Sequence, residues 1–96
     1  MARVNEVRVE GWINSNIRTH YNNQLGFFYL YFGKKSNGVY KTIKIVFLEK
    51  LFDFATSLKK GDYIFVEGYL DFVENNNVKE INVVATKIDL LKEANE

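Results

Sequence analysis

The sequence predicts an all-β fold: a small Greek-key barrel of five strands, with one short helix between the third and fourth. Three observations lead there. Apolar and polar residues alternate with a period of two in five separate stretches. β-branched and aromatic residues fill those stretches, in a chain with 16% aromatic residues and no proline. Only one segment, residues 48–61, changes to a three- and four-residue spacing. Ninety-six residues at 47% hydrophobic content suffice for one modest core. The expected organisation is a single domain over 1–96, with a core spanning 4–91 and a frayed tail at 92–96.

The first strand comes from residues 4–13, where Val7, Val9, Gly11 and Ile13 alternate with Arg8, Glu10 and Trp12. Gly11 permits a bulge or a tight bend. Trp12 falls on the face opposite the valines, where it either covers the barrel end or stands open for stacking. Residues 14–25 are polar and Asn-rich, a loop by composition. They carry His20, the single histidine, which has no companion ligand for a metal or catalytic role.

The strongest hairpin signal follows over residues 26–47. Phe28, Leu30, Phe32, Ile43, Ile45 and Phe47 are expected to point into the core. The opposite face then shows Tyr29, Tyr31, Tyr40 and Lys44, with Lys34, Lys35 and Lys41 near the turn. In the next segment Leu48, Leu51, Phe52, Ala55 and Leu58 mark one face of a helix. Lys59 and Lys60 are expected in its last turn and Gly61 just past its end.

Residues 62–72 supply the fourth strand, with Ile64, Val66 and Leu70 on one face and Gly68 at a bend. The turn at 74–77 leads to the fifth strand over 78–91, where Ile81, Val83 and Ala85 alternate with Asn82, Val84 and Thr86. Strand, long loop, hairpin, helix, hairpin is the order of an OB-fold, a partly open five-stranded Greek-key barrel. That architecture binds oligonucleotides on its second and third strands and on the loops after the first and fourth. Tyrosines beside lysines suit stacked bases and phosphates.

Composition narrows the function classes. The net charge is +1, yet residues 1–50 carry +5 and residues 51–96 carry −4, so the hairpin lies in a basic half. No cysteine is present, which removes disulfides and thiolate metal sites and fits a reducing cytoplasm. No stretch reads as a signal peptide or membrane span. With no Gly-rich phosphate loop and no placeable carboxylate pair, neither catalysis nor a cofactor or metal is expected.

Three motifs resemble the bacterial and phage single-stranded DNA-binding protein family. Val7-Arg8-Val9-Glu10-Gly11-Trp12-Ile13 resembles its opening strand, and the run from Ile43 to Leu51 resembles its third strand entering the helix. Leu58-Lys59-Lys60-Gly61 followed by Val66-Glu67-Gly68-Tyr69-Leu70 is the most specific match. The primosomal replication protein is a second resemblance, carried by Ala85-Thr86-Lys87-Ile88-Asp89-Leu90. The chain departs from the family where tryptophans are usual: Thr42 and Asn75 stand near two such positions, and Leu48 near one that is commonly Phe. The sequence closes on Lys92-Glu93-Ala94-Asn95-Glu96, which is not the acidic tail ending in Pro-Phe that the family commonly carries; that tail is either absent or removed.

The resemblance implies sequence-independent binding of single-stranded DNA in replication, recombination or repair, within a bacterial cell or phage-infected host. It further implies a homodimer or homotetramer that pairs off its first-strand edge, with replication proteins as partners. The candidate DNA-binding residues are Tyr29, Tyr31, Tyr40, Lys44, Lys34, Lys35, Lys41, Arg18, Arg8, Trp12 and Tyr69. The alternative is a protein-interaction subunit of a replication or primosome assembly.

Overall fold

The computed structural model describes residues 5–20, 22, 24–33 and 41–94. Their elements in chain order are β1 (Val7–Ile13), β2 (Arg18–His20), β3 (Leu25–Tyr31), β4 (Thr42–Leu48), α1 (Glu49–Thr56), β5 (Tyr63–Asn75) and β6 (Val78–Lys92). The sheet order is β1-β5-β6-β4-β3-β2, and a further β1–β3 pairing closes it. That closure is short: Trp12 faces Tyr31 and Ile13 faces Leu30. β4 and β6 run parallel, whereas the other pairings are antiparallel. This is the expected OB barrel, with β2 as an addition.

Alternation sets the inside. Ile13, Phe28, Leu30, Ile45, Phe47, Ile64, Val66 and Val83 are essentially closed to solvent, and Ala55 and Leu58 seal one end. Phe47 bridges the sheet to the helix through Phe52, with ring centroids 6.1 Å apart. Gly11 allows β1 to approach β3, because a Cβ there would lie 2.1 Å from the carbonyl oxygen of Tyr31. No bulge is needed at that point. The bend comes instead at Gly68, where the β5–β6 register shifts after Glu67 and Thr86 Oγ1 donates to the Glu67 carbonyl at 3.1 Å.

Several local expectations change. The loop after β1 contains a strand, β2, whose three residues pair with Phe27, Gly26 and Leu25. The helix stops at Thr56, before Lys59, Lys60 and Gly61. Two hydroxyls end it: Thr56 Oγ1 donates to the Phe52 carbonyl at 2.9 Å and Ser57 Oγ to the Phe54 carbonyl at 2.6 Å. Such back-bonding competes with the next helical turn. Gly61 instead takes φ +98° in the turn before β5, where its amide donates to the Ile13 carbonyl.

Phe32, expected in the core, is exposed, as are Ile81 and Leu70, the latter on the same face as the buried Ile64 and Val66. Phe32 lies past the end of β3. Beyond Gly68 the β5–β6 hairpin extends as an arm, on which Leu70, Phe72 and Ile81 continue the inward face with no layer over them. Asn82 and Val84, which alternate with Ile81, Val83 and Ala85, are buried as well, because β6 runs between β4 and β5 and its outward positions are flanked from both sides. The arm turns through Asn76 (φ 51°) and Asn77 (φ 65°).

Candidate nucleic-acid interface

Three outward positions of β3 carry aromatic rings: Phe27, Tyr29 and Tyr31. Across the ladder they face Val46, Lys44 and Thr42 of β4. Val46 in turn faces Val84 of β6, and Val84 faces Tyr69 of β5. Tyr69 thus shares the outer face with Phe27, three strands away. Tyr29, Lys44 and Thr42 line a hollow of about 240 Å³ together with Glu80, Ile81 and Asn82 at the root of the arm.

The backbone fixes this face from below. The segment after β1 grips Tyr29 on both sides: its amide donates to Ser15 Oγ at 2.9 Å, and its carbonyl accepts from the Asn14 amide at 2.8 Å. β2 brings His20 against Phe27, with rings nearly parallel and centroids 5.3 Å apart. Phe27 also meets the edge of Tyr29 at 6.0 Å and the Lys44 ammonium at 4.3 Å from its centroid. An aromatic strip therefore runs from β2 along β3, with a cation beside it.

At the other end of β3 the strip meets β1. Trp12 stacks on Tyr31 with centroids 5.6 Å apart and tilts against Tyr63 at 4.7 Å. The Tyr63 hydroxyl donates to Glu10 at 3.0 Å. That bond, more than burial or the carboxylate's charge, raises the phenol's pKa above its ordinary value.

The structure brings Tyr29, Tyr31, Lys44 and Trp12 onto one connected surface and places Tyr69 at its far margin. Arg18 is exposed on β2 beside Phe27, and Lys41 directly precedes β4, its carbonyl accepting from the Phe32 amide. Arg8 stands apart near the start of β1, bonded to Glu67 at 3.0 Å and paired with Glu6 at 2.6 Å. The Glu67 hydrogen bond, followed by the two carboxylate charges, raises its pKa. Lys34, Lys35 and Tyr40 lie outside the described residues. Three residues of the strip, His20, Phe27 and Tyr63, escaped the sequence-based site set. Phe27 was signalled by its alternation with Tyr29 and Tyr31, whereas Tyr63 joins only through the β1–β5 register.

Among the described residues no cluster of three or more His, Asp or Glu side chains is placed to hold a metal, and no helix is long and apolar enough to cross a membrane.

No protein-family model matches the sequence, and a search of curated proteins gives no significant match. Solved structures do match. The mitochondrial single-stranded DNA-binding protein Rim1 of S. cerevisiae aligns in two crystal forms. In one the TM-score is 0.79 at 21% identity, covering 97% of this chain and 99% of that one. In the other it is 0.77 at 22% identity, covering 93% and 97%. The shared architecture is the OB barrel.

Proposed function

We propose that this chain binds single-stranded DNA, with little regard to sequence, across the outer face of β3 and β4. The observation that carries the reading is the row Phe27, Tyr29, Tyr31 at consecutive outward positions, with Lys44 directly opposite Tyr29. Every base has a π-face, so such a row accepts any sequence, at about 1–3 kcal/mol per stacked base. Lys44, Lys41 and Arg18 supply the cations that meet phosphates, with Lys34, Lys35 and Tyr40 assigned to the same ligand from sequence. That the same barrel occurs in a single-stranded DNA-binding protein supports the assignment. On this reading the protein serves replication, recombination or repair, and assembles through β1, whose residues Val7–Gly11 pair with β5 alone among the described residues.

Titration of dye-labelled oligo-dT by fluorescence anisotropy, at low and moderate salt and with duplex competitor, tests it. Binding that weakens with salt, resists duplex and drops on Tyr29→Ala is expected. Absence of binding at low salt overturns the proposal.

The exposed Leu70, Phe72 and Ile81 of the arm favour a second reading, a protein-interaction subunit of a replication assembly. It predicts capture of a purified helicase or primase without DNA.

A further inference from the structure

We propose that Trp12 and Tyr63 form a second stacking platform, so that a bound strand leaves the end of β3 and continues around the barrel onto β1 and β5. The inference rests on the single-strand reading of the β3–β4 face and extends its path.

Continuity is the first argument. Tyr31 belongs to both platforms: it lies two residues after Tyr29 on β3, and its ring stacks on Trp12 at 5.6 Å with 27° between planes. Alternate outward residues of a strand stand roughly 6.6–6.8 Å apart. Phe27, Tyr29, Tyr31, Trp12 and Tyr63 thus follow one another at spacings of similar size, with Phe27–Tyr29 at 6.0 Å and Trp12–Tyr63 at 4.7 Å. The row crosses the short β1–β3 seam without a gap.

Exposure is the second. Trp12 touches two rings and is still 47% exposed, so a large part of the indole remains uncovered. It makes no part of the core; the seam is filled on the inside by Ile13 and Leu30, both closed to solvent. Packing alone does not call for the largest side chain at an outward position.

Order is the third. The Tyr63 ring is pinned by its hydroxyl bond to Glu10, and Trp12 lies between two rings whose backbones pair with its own. Little side-chain freedom is left to lose on binding. Glu10 also ends the track, since its carboxylate repels phosphate beyond Tyr63. The favoured occupant is therefore a base of a strand arriving from Tyr31, not a strand running on along β1.

Trp12 is the only tryptophan, so intrinsic emission reports this platform alone. Emission and dye anisotropy are followed in one titration with oligo-dT of about 4–16 nucleotides. Saturable quenching at the anisotropy midpoint, appearing only with the longer oligomers, is expected. Trp12→Leu should weaken the longer oligomers about tenfold and the shortest little. Should Trp12→Leu fail to fold, quenching of the unaltered protein still decides. Anisotropy that rises while emission and acrylamide accessibility stay fixed overturns the second platform and leaves the first standing. No binding at low salt overturns both. A blue shift driven by protein concentration alone assigns Trp12 to a contact between copies and overturns the proposal.

Discussion

The ammonium of Lys44 lies 4.3 Å from the centroid of the Phe27 ring, so a cation and a π-face that both suit a single strand already engage each other. On the proposed single-strand reading, a base settling on Phe27 would displace the amine towards solvent, where it would meet phosphate. Lys44→Met should therefore act mainly on binding. The slope of log affinity against log salt should fall by about 0.7, one phosphate contact on a single strand, evenly across sequences. The exposed cation–π contact contributes only about 0.5–1 kcal/mol to stability, so the urea midpoint should move little. Anisotropy at several salt concentrations checks the first part; an unchanged slope would remove Lys44 from the phosphate path.

Gly11 and Gly33 separate a steric need from an incidental glycine. A Cβ on Gly11 would stand 2.1 Å from a backbone oxygen, that of Tyr31, whereas one on Gly33 meets the aliphatic stem of Lys41 at 3.1 Å. Backbone at the barrel seam cannot retreat; a lysine stem can. Gly11→Ala should lose about 2–3 kcal/mol or more, and Gly33→Ala should stay within about 0.5 kcal/mol. Equal urea midpoints for the two variants would show that the β1–β3 seam is loose.

These cases show what a single sequence discloses. The inward set Phe28, Leu30, Ile45 and Phe47 was legible because alternation reports which face a residue takes. It does not report whether anything packs on that face, and Leu70, on the face of Ile64 and Val66 by period, lies exposed on the arm. β2 left no periodic mark, since all three of its residues are exposed and its place is set by pairing with β3. The helix end was misplaced because the hydroxyls of Thr56 and Ser57 outweighed the lysine and glycine signals beyond them. On the candidate site, Tyr29, Tyr31 and Lys44 followed from alternation alone. The meeting of Trp12 with Tyr63 depends on the β1–β5 register, which no local pattern encodes.

The arm turn offers a backbone test. Asn76 and Asn77 both have positive φ, the signature of a type I′ turn, for which Asn-Gly is the preferred pair. Asn tolerates this region, Gly occupies it freely, and other L-residues lose roughly 1–2 kcal/mol there. Asn77→Gly should leave stability unchanged or raise it by a few tenths of a kcal/mol, and Asn77→Val should lower it by about 1 kcal/mol or more. Urea unfolding of both variants gives the answer. A neutral Asn77→Val would mean that the arm frays before the barrel unfolds and adds nothing to global stability.

Asp62 ties the strand entering β5 to the segment leaving β6. Its side chain is closed to solvent; Oδ2 accepts the Lys59 amide at 2.9 Å and Oδ1 the Ala94 amide at 2.8 Å. Burial pushes its pKa up, but the two amides and the Lys59 charge, with Nζ at 3.6 Å, outweigh that, and the net shift is downward. The folded carboxyl thus gives up its proton more readily than the unfolded one. Its contribution is fully present above the unfolded value, about 3.9, and is lost as pH falls through the lower folded value. Asp62→Asn retains one acceptor and removes the charge, so it should destabilise by about 1–3 kcal/mol at neutral pH. The gap to the unaltered protein should narrow once the pH drops below about 4. Urea unfolding at pH 7 and pH 3 measures that gap, and hydrogen exchange at the Ala94 amide should quicken in the variant at pH 7. A gap of the same size at both pH values would mean that the contribution comes from shape and hydrogen bonding, with none from the charge.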